Sequence, residues 1–191
     1  MVIGVTVPMT PAEIQLAHWY GMSRLIANQN SEDKEYYNRS TMVADREAQP
    51  AAVLCEMAVA KWLGLYYVPT LWSASAHREN KDRADVAHCV EVRRVRQPQT
   101  GPAVRSTDRG KVLVGVYLPD DPGDDWSEPE VLGWVAVPKE ATKEDFLKHY
   151  KVCVGGEQKY FRCPIEKLIP PNKKILLEMM GQLLDVQEKV G

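Results

Sequence analysis

The chain reads as an α/β (α+β) fold, a mixed central β-sheet flanked by helices with a further helix at the C-terminus. Three observations lead there. Residues 10–28 and 50–64 carry apolar side chains at helical spacing. Between residues 65 and 137 the period shortens, and valine-rich runs such as VEVRRVR, KVLVGVYL and VLGWVAVP read as strands. The tail, NKKILLEMMGQLLDVQEKV, returns to helical spacing.

The elements follow in chain order. In TPAEIQLAHWYGMSRLIAN, Thr10 suits an N-cap, Pro11 the first turn, and Glu13 the third position of a capping box. Ile14, Ala17, His18, Gly21 and Leu25, with Trp19 at the edge, form its apolar stripe. Residues 29–49 are polar and read as a loop with room for a short helix. The next helix is expected to start at Pro50 and stop at Gly64. LYYVPTLW then reads as a strand or an extended approach to one. After the polar connection SASAHRENKDRAD come the strands VEVRRVR and KVLVGVYL, joined through the turn RSTDRG. PDDPGDDWSEPE is an acidic loop without the ligand spacing of a calcium-binding loop. VLGWVAVP is a further strand, and Thr142 is placed to cap a short helix in KEATKEDFLKH. QKYFRCPIEKLIPP reads as a strand and a turn. Trp19, Trp62 and Trp134 are expected in the core.

A length of 191 residues suits one domain. Residues 1–171 would form it, and residues 172–191 would dock on it as an amphipathic helix, with dimerisation through that helix as the alternative. A net charge of −2 gives no global attraction to nucleic acid or to anionic membrane, so an electrostatic footprint has to be local. No apolar run reaches the length of a membrane span, and the start lacks the pattern of a signal peptide, so a cytoplasmic protein is expected. Cys55, Cys89, Cys153 and Cys163 form no CxxC pair and are read as reduced thiols; the histidines form no ligand set.

Two features carry chemistry. In PAAVLCEMAVAKWLG, the helical neighbours of Glu56 are Ala52, Val53, Val59, Ala60 and Leu63, all apolar. A carboxylate on that face needs a cation, a metal or a proton. In KDRADVAHCVEVRRV, Glu91 and Arg93 share one face of a strand, with Val90, Val92 and Arg94 on the other. A turn through Ala87 and His88 would bring Asp85 beside Glu91. Paired carboxylates of this kind suit a hard cation such as Mg²⁺ or Mn²⁺, with Glu56 as a third ligand and Arg93 on a phosphoryl group. The plain alternative is a solvated hairpin with surface ion pairs.

Glu56 in CEMAVAKWLG, Asp85 in ADV, and Glu91 with Arg93 in EVR resemble the motif of the PD-(D/E)XK nuclease-like superfamily. More closely, the chain resembles a group of small bacteriophage proteins of that fold. In those, a GELAxAK-type helix precedes a DVG…EVR segment, and VLV-type, GW and LxP segments follow. The corresponding residues here are 56–61, 85–93, 112–117, 133–137 and 168–171, and Arg24 in the first helix is also similar. The resemblance implies a restriction-endonuclease-like core and hydrolysis of DNA phosphodiester bonds. Glu56, Asp85 and Glu91 would hold Mg²⁺ or Mn²⁺, and Arg93 would act beside them. One departure matters. Arg93 stands where active nucleases carry lysine, and an arginine cannot give up its proton to activate water. The alternative is therefore a catalytically inactive nucleic-acid- or protein-binding module on the same fold.

Arg78, Lys81, Arg83, Arg94 and Arg96 fall in a stretch, residues 78–111, where cations outnumber acids, and they are the expected nucleic-acid contacts. A strand edge guarded by cations is the competing reading. DNA is the expected partner, with a phage or host protein as a second, no membrane, and host-cell cytoplasm as the location if the protein is phage-encoded.

Overall fold

The computed structural model describes residues 4–29, 42–69, 83–120, 126–155 and 158–188. Among these are four α-helices: α1 (Pro11–Gln29), α2 (Met42–Leu63), α3 (Lys143–His149) and α4 (Lys173–Glu188). The strands are β1 (Val5–Thr6), β2 (Val90–Val95), β3 (Ala103–Val104), β4 (Val112–Tyr117), β5 (Glu130–Ala136), β6 (Lys151–Gly155) and β7 (Gln158–Arg162). The fold is mixed α/β. β1-β5-β4-β2 form a mixed sheet in which β2 runs parallel to β4 and the other pairs are antiparallel. β3-β7-β6 form a second, antiparallel sheet.

Local chemistry explains three of the helix ends. Thr10 and Glu13 form the expected reciprocal cap: the Glu13 N–H donates to Thr10 Oγ1 at 3.2 Å, and the Thr10 N–H donates to Glu13 Oε2 at 2.7 Å. Thr142 and Asp145 do the same for α3. α2 ends where Gly64 turns to φ 73°, with Leu65 N–H donating to Ala60 O and Gly64 N–H to Lys61 O, a Schellman closure.

The start of α2 corrects the expectation. The helix begins at Met42, and Pro50 lies inside it. A proline there removes one helical hydrogen bond, but the helix runs on because α1 packs along it. The crossing is tight: a Cβ on Gly21 would lie 2.3 Å from the Pro50 nitrogen. Trp19, expected in the core, is 60% exposed, whereas Trp134 is buried and Trp62 packs partly buried against the core. Residues 65–69 lie outside any helix or strand, and residues 70–72 lie outside the described residues.

Alternation along the strands divides the core in two. Val90, Val92, Val112, Val114 and Val116 face α2, and Leu176 and Met180 of α4 join them. Val95, Leu113, Leu132 and Val137 face the other way, toward Phe146, Cys163 and Leu168. A bulge keeps β5 in step. The pairing shifts between Gly115 and Val116, and Gly133, at φ 147°, makes room for the Ile169 carbonyl. Cys55, Cys89, Cys153 and Cys163 are free thiols, and burial pushes Cys55 up to about 12 and Cys89 to about 11. Among the described residues no helix is long and apolar enough to cross a membrane.

Candidate functional site

β2 lies at the end of its sheet among the described residues, with β4 as its one strand partner. The chain reaches β2 through a tight turn. Val86 and Val90 exchange hydrogen bonds at 2.9 and 3.0 Å. Between them Ala87 and His88 adopt φ of 50° and 62°, a region that side chains other than glycine's enter only at a cost of about 1 kcal/mol or more. The turn carries Asp85 back alongside β2, where its Oδ2 accepts the Val92 N–H at 2.8 Å. A side-chain oxygen thus fills the ladder position next to the Val86–Val90 bridge.

Glu91 and Arg93 project from the face of β2 opposite the valines that α2 covers. Arg93 bridges two acids, with Nη1 2.5 Å from Glu91 Oε1 and Nη2 2.7 Å from Asp108 Oδ1. Lys111, at the entry to β4, donates to the second Glu91 oxygen at 3.2 Å and to the Arg83 carbonyl at 3.3 Å. Asp108 also accepts the Arg105 N–H at 2.7 Å. Burial would raise the Glu91 carboxyl, but Arg93 and Lys111 outweigh it and hold it below its ordinary value. For Asp108 burial prevails over Arg93, and its carboxyl lies above the ordinary value.

Glu56 is held from the α1 side. Arg24 forks onto it with N–O distances of 2.8 and 2.7 Å, and the Tyr67 hydroxyl donates to Oε2 at 2.7 Å while accepting from Arg24 at 3.2 Å. Burial would lower the guanidinium's pKa, but Glu56 raises it above the ordinary value; burial and Glu56 together push the Tyr67 hydroxyl up. Of the partners open to a buried carboxylate, the structure supplies a core arginine.

Asp85 stands between these two clusters and feels both. Burial, then Glu56, then Glu91 push its carboxyl well above the ordinary range, with Arg93 and the Val92 N–H opposing. Glu56, Asp85, Glu91 and Asp108 are four acids; Arg24, Arg93 and Lys111 are three cations, and their ion pairs serve Glu56, Glu91 and Asp108. Among the described residues Asp85 is the acid of the four that forms no ion pair.

Glu56, Asp85 and Glu91 are therefore electrostatic neighbours, but they do not form a ligand set. Glu56 is engaged on the helical side and Glu91 on the opposite face. Both oxygens of each already accept from protein donors. Among the described residues no three His, Cys, Asp or Glu side chains are grouped to hold a metal ion. As they are paired here, these described residues do not fit the expected Mg²⁺ or Mn²⁺.

The expected nucleic-acid contacts divide. Arg78 and Lys81 lie outside the described residues. Arg83 and Arg96 are exposed, Arg96 pairing with Asp120 at 3.2 Å. The Arg94 side chain is mostly buried on the valine face, donating to the Leu118 and Pro119 carbonyls and pairing with Asp120. It binds the end of β4 to β2. Three participants were not foreseen. Asp108 read as a turn residue in RSTDRG. Lys111 read as the first residue of a strand, and its reach to Glu91 depends on the parallel pairing of β2 with β4. Tyr67 read as part of a strand. Comparison with protein-family models, curated proteins and solved structures gave no match.

Proposed function

We propose that the chain is a catalytically inactive nucleic-acid-binding module on a restriction-endonuclease-like scaffold. The observation that carries the inactive half is the engagement of Glu56 by Arg24 and of Glu91 by Arg93 and Lys111. Carboxylates held this way stabilise a fold and are not available to a metal. The binding half rests on where charge lies between residues 83 and 111. The acids of that stretch, Asp85, Glu91 and Asp108, turn inward, while Arg83, Arg96, Arg105 and Arg109 are exposed. The outward surface of the segment is thus more basic than its composition, which favours phosphate contacts.

Fluorescence anisotropy with labelled single- and double-stranded DNA tests this reading. Affinity is expected without added divalent metal. It should weaken steeply with salt and fall when Arg96, Arg105 and Arg109 are replaced together by alanine. An absence of binding at low salt would sink it.

Lys111 favours a second reading, a metal-dependent nuclease acting on DNA in the host-cell cytoplasm. It places a lysine 3.2 Å from Glu91, as the resemblance expects of an active site, though from another strand. Plasmid cleavage in Mg²⁺ or Mn²⁺ that is lost in Asp85→Ala and Glu91→Ala would establish this reading in place of the first.

A further inference from the structure

Asp85 lines a cavity of about 430 Å³, whose walls include Tyr66, Tyr67, Val68, Arg83 and His88. Tyr66 is 91% exposed and Val68 65%. Asp85 Oδ2 is taken by the Val92 N–H, and among the described residues Oδ1 has no hydrogen-bond partner. The cavity thus joins an acid that forms no ion pair among the described residues to an aromatic ring open to solvent.

We propose that this cavity binds an organic cation, with a primary ammonium or guanidinium group pairing with Asp85 and lying against the Tyr66 ring. A metal ion suits it poorly, because hard cations need several oxygen ligands and Asp85 is the one carboxylate among the described lining residues. An organic cation needs one counter-charge and gains from an aromatic face. It also supplies a counter-charge that Asp85 lacks among the described residues. The same chemistry reaches the cavity either as a free diamine or guanidine compound or as a lysine or arginine side chain of a partner protein. Arg83 in its wall is shared with the proposed nucleic-acid surface, whereas Arg96, Arg105 and Arg109 do not line it.

Calorimetric titration of the intact protein with agmatine, and in parallel with the capped peptide Gly-Arg-Gly, tests the proposal and separates the two sources. Saturable binding is expected, tighter for agmatine if the ligand is free and tighter for the peptide if it is a side chain. Asp85→Asn keeps an oxygen for the Val92 N–H, so the fold is retained, and it should weaken binding roughly tenfold or more. Tyr66→Ala, at an exposed position, should weaken it about threefold. Lack of binding by either probe at millimolar concentration would overturn the proposal, as would unchanged affinity in a folded Asp85→Asn protein. Stabilisation by Mg²⁺ or Ca²⁺ alone that depends on Asp85 would overturn it in favour of a metal site.

Discussion

Arg24 and Glu56, 32 positions apart, meet as a forked ion pair, the two guanidinium nitrogens lying 2.8 and 2.7 Å from the two carboxylate oxygens. The pair joins α1 to α2 in a mostly buried setting. Removing one partner strands the other charge, so Arg24→Ala should cost about 3–5 kcal/mol in urea unfolding. Replacing both, as Arg24→Met with Glu56→Leu, should return most of that stability, because a well-packed apolar pair often matches a buried ion pair. If the double variant is no more stable than Arg24→Ala, the pair has a role beyond joining the helices.

Asp85 should make stability depend on pH in an unusual direction. Its folded carboxyl lies well above the ordinary value, through burial, Glu56 and Glu91. Between the unfolded and folded pKa the folded protein binds more protons, so this group's contribution falls as pH rises through the folded value. Glu91 and Glu13 are depressed and act oppositely, losing their contribution as pH falls. Comparison of wild type with Asp85→Asn isolates the first effect. The variant's advantage in Tm should grow from acid toward neutral pH; a constant difference would mean that Asp85 does not carry the unshared charge.

What the sequence made legible and what it did not divide along physical lines. Valine alternation marked β2, β4 and β5, because a buried strand face leaves a period of two. The Thr10 and Thr142 caps were legible because their partners lie three residues away. The burial of Glu56 followed from its apolar neighbours, and so did its need for a counter-charge. That Arg24 with Tyr67 supplies it is a fact of tertiary packing, as is the reach of Lys111 to Glu91 across a parallel pair. β1 and β3, two residues each, are too short to leave a period. Trp19 misled because its aromatic bulk sits beside the stripe of α1 and not on it.

Gly21 inverts an ordinary rule. An alanine inside a helix is usually about 1 kcal/mol better than glycine. Here the added Cβ would meet the Pro50 nitrogen at 2.3 Å and its Cα at 2.5 Å, both backbone atoms that cannot swing aside. Gly21→Ala should therefore destabilise the protein by about 1–3 kcal/mol through overpacking at the α1–α2 crossing. Gly181, whose added Cβ would meet nothing within 4 Å, is the control, and Gly181→Ala should be neutral or stabilising. Equal effects at the two positions would show that the crossing is looser than these distances.

Arg93→Lys separates a structural arginine from a displaced catalytic position. The substitution writes the lysine that the nuclease-like motif carries. If Glu91 and Asp85 formed a dormant metal site lacking only that lysine, metal-dependent cleavage of DNA should appear. The geometry argues for another result. Arg93 reaches Glu91 with one nitrogen and Asp108 with the other, at 2.5 and 2.7 Å, a span that uses the planar fork. A single ammonium cannot reproduce it, and Asp108, which is fully buried, would lose its charged partner. Arg93→Lys should therefore lose about 1–3 kcal/mol of stability and gain no cleavage activity. Adding Asp108→Asn should recover part of the loss, because an amide in that place needs no counter-charge.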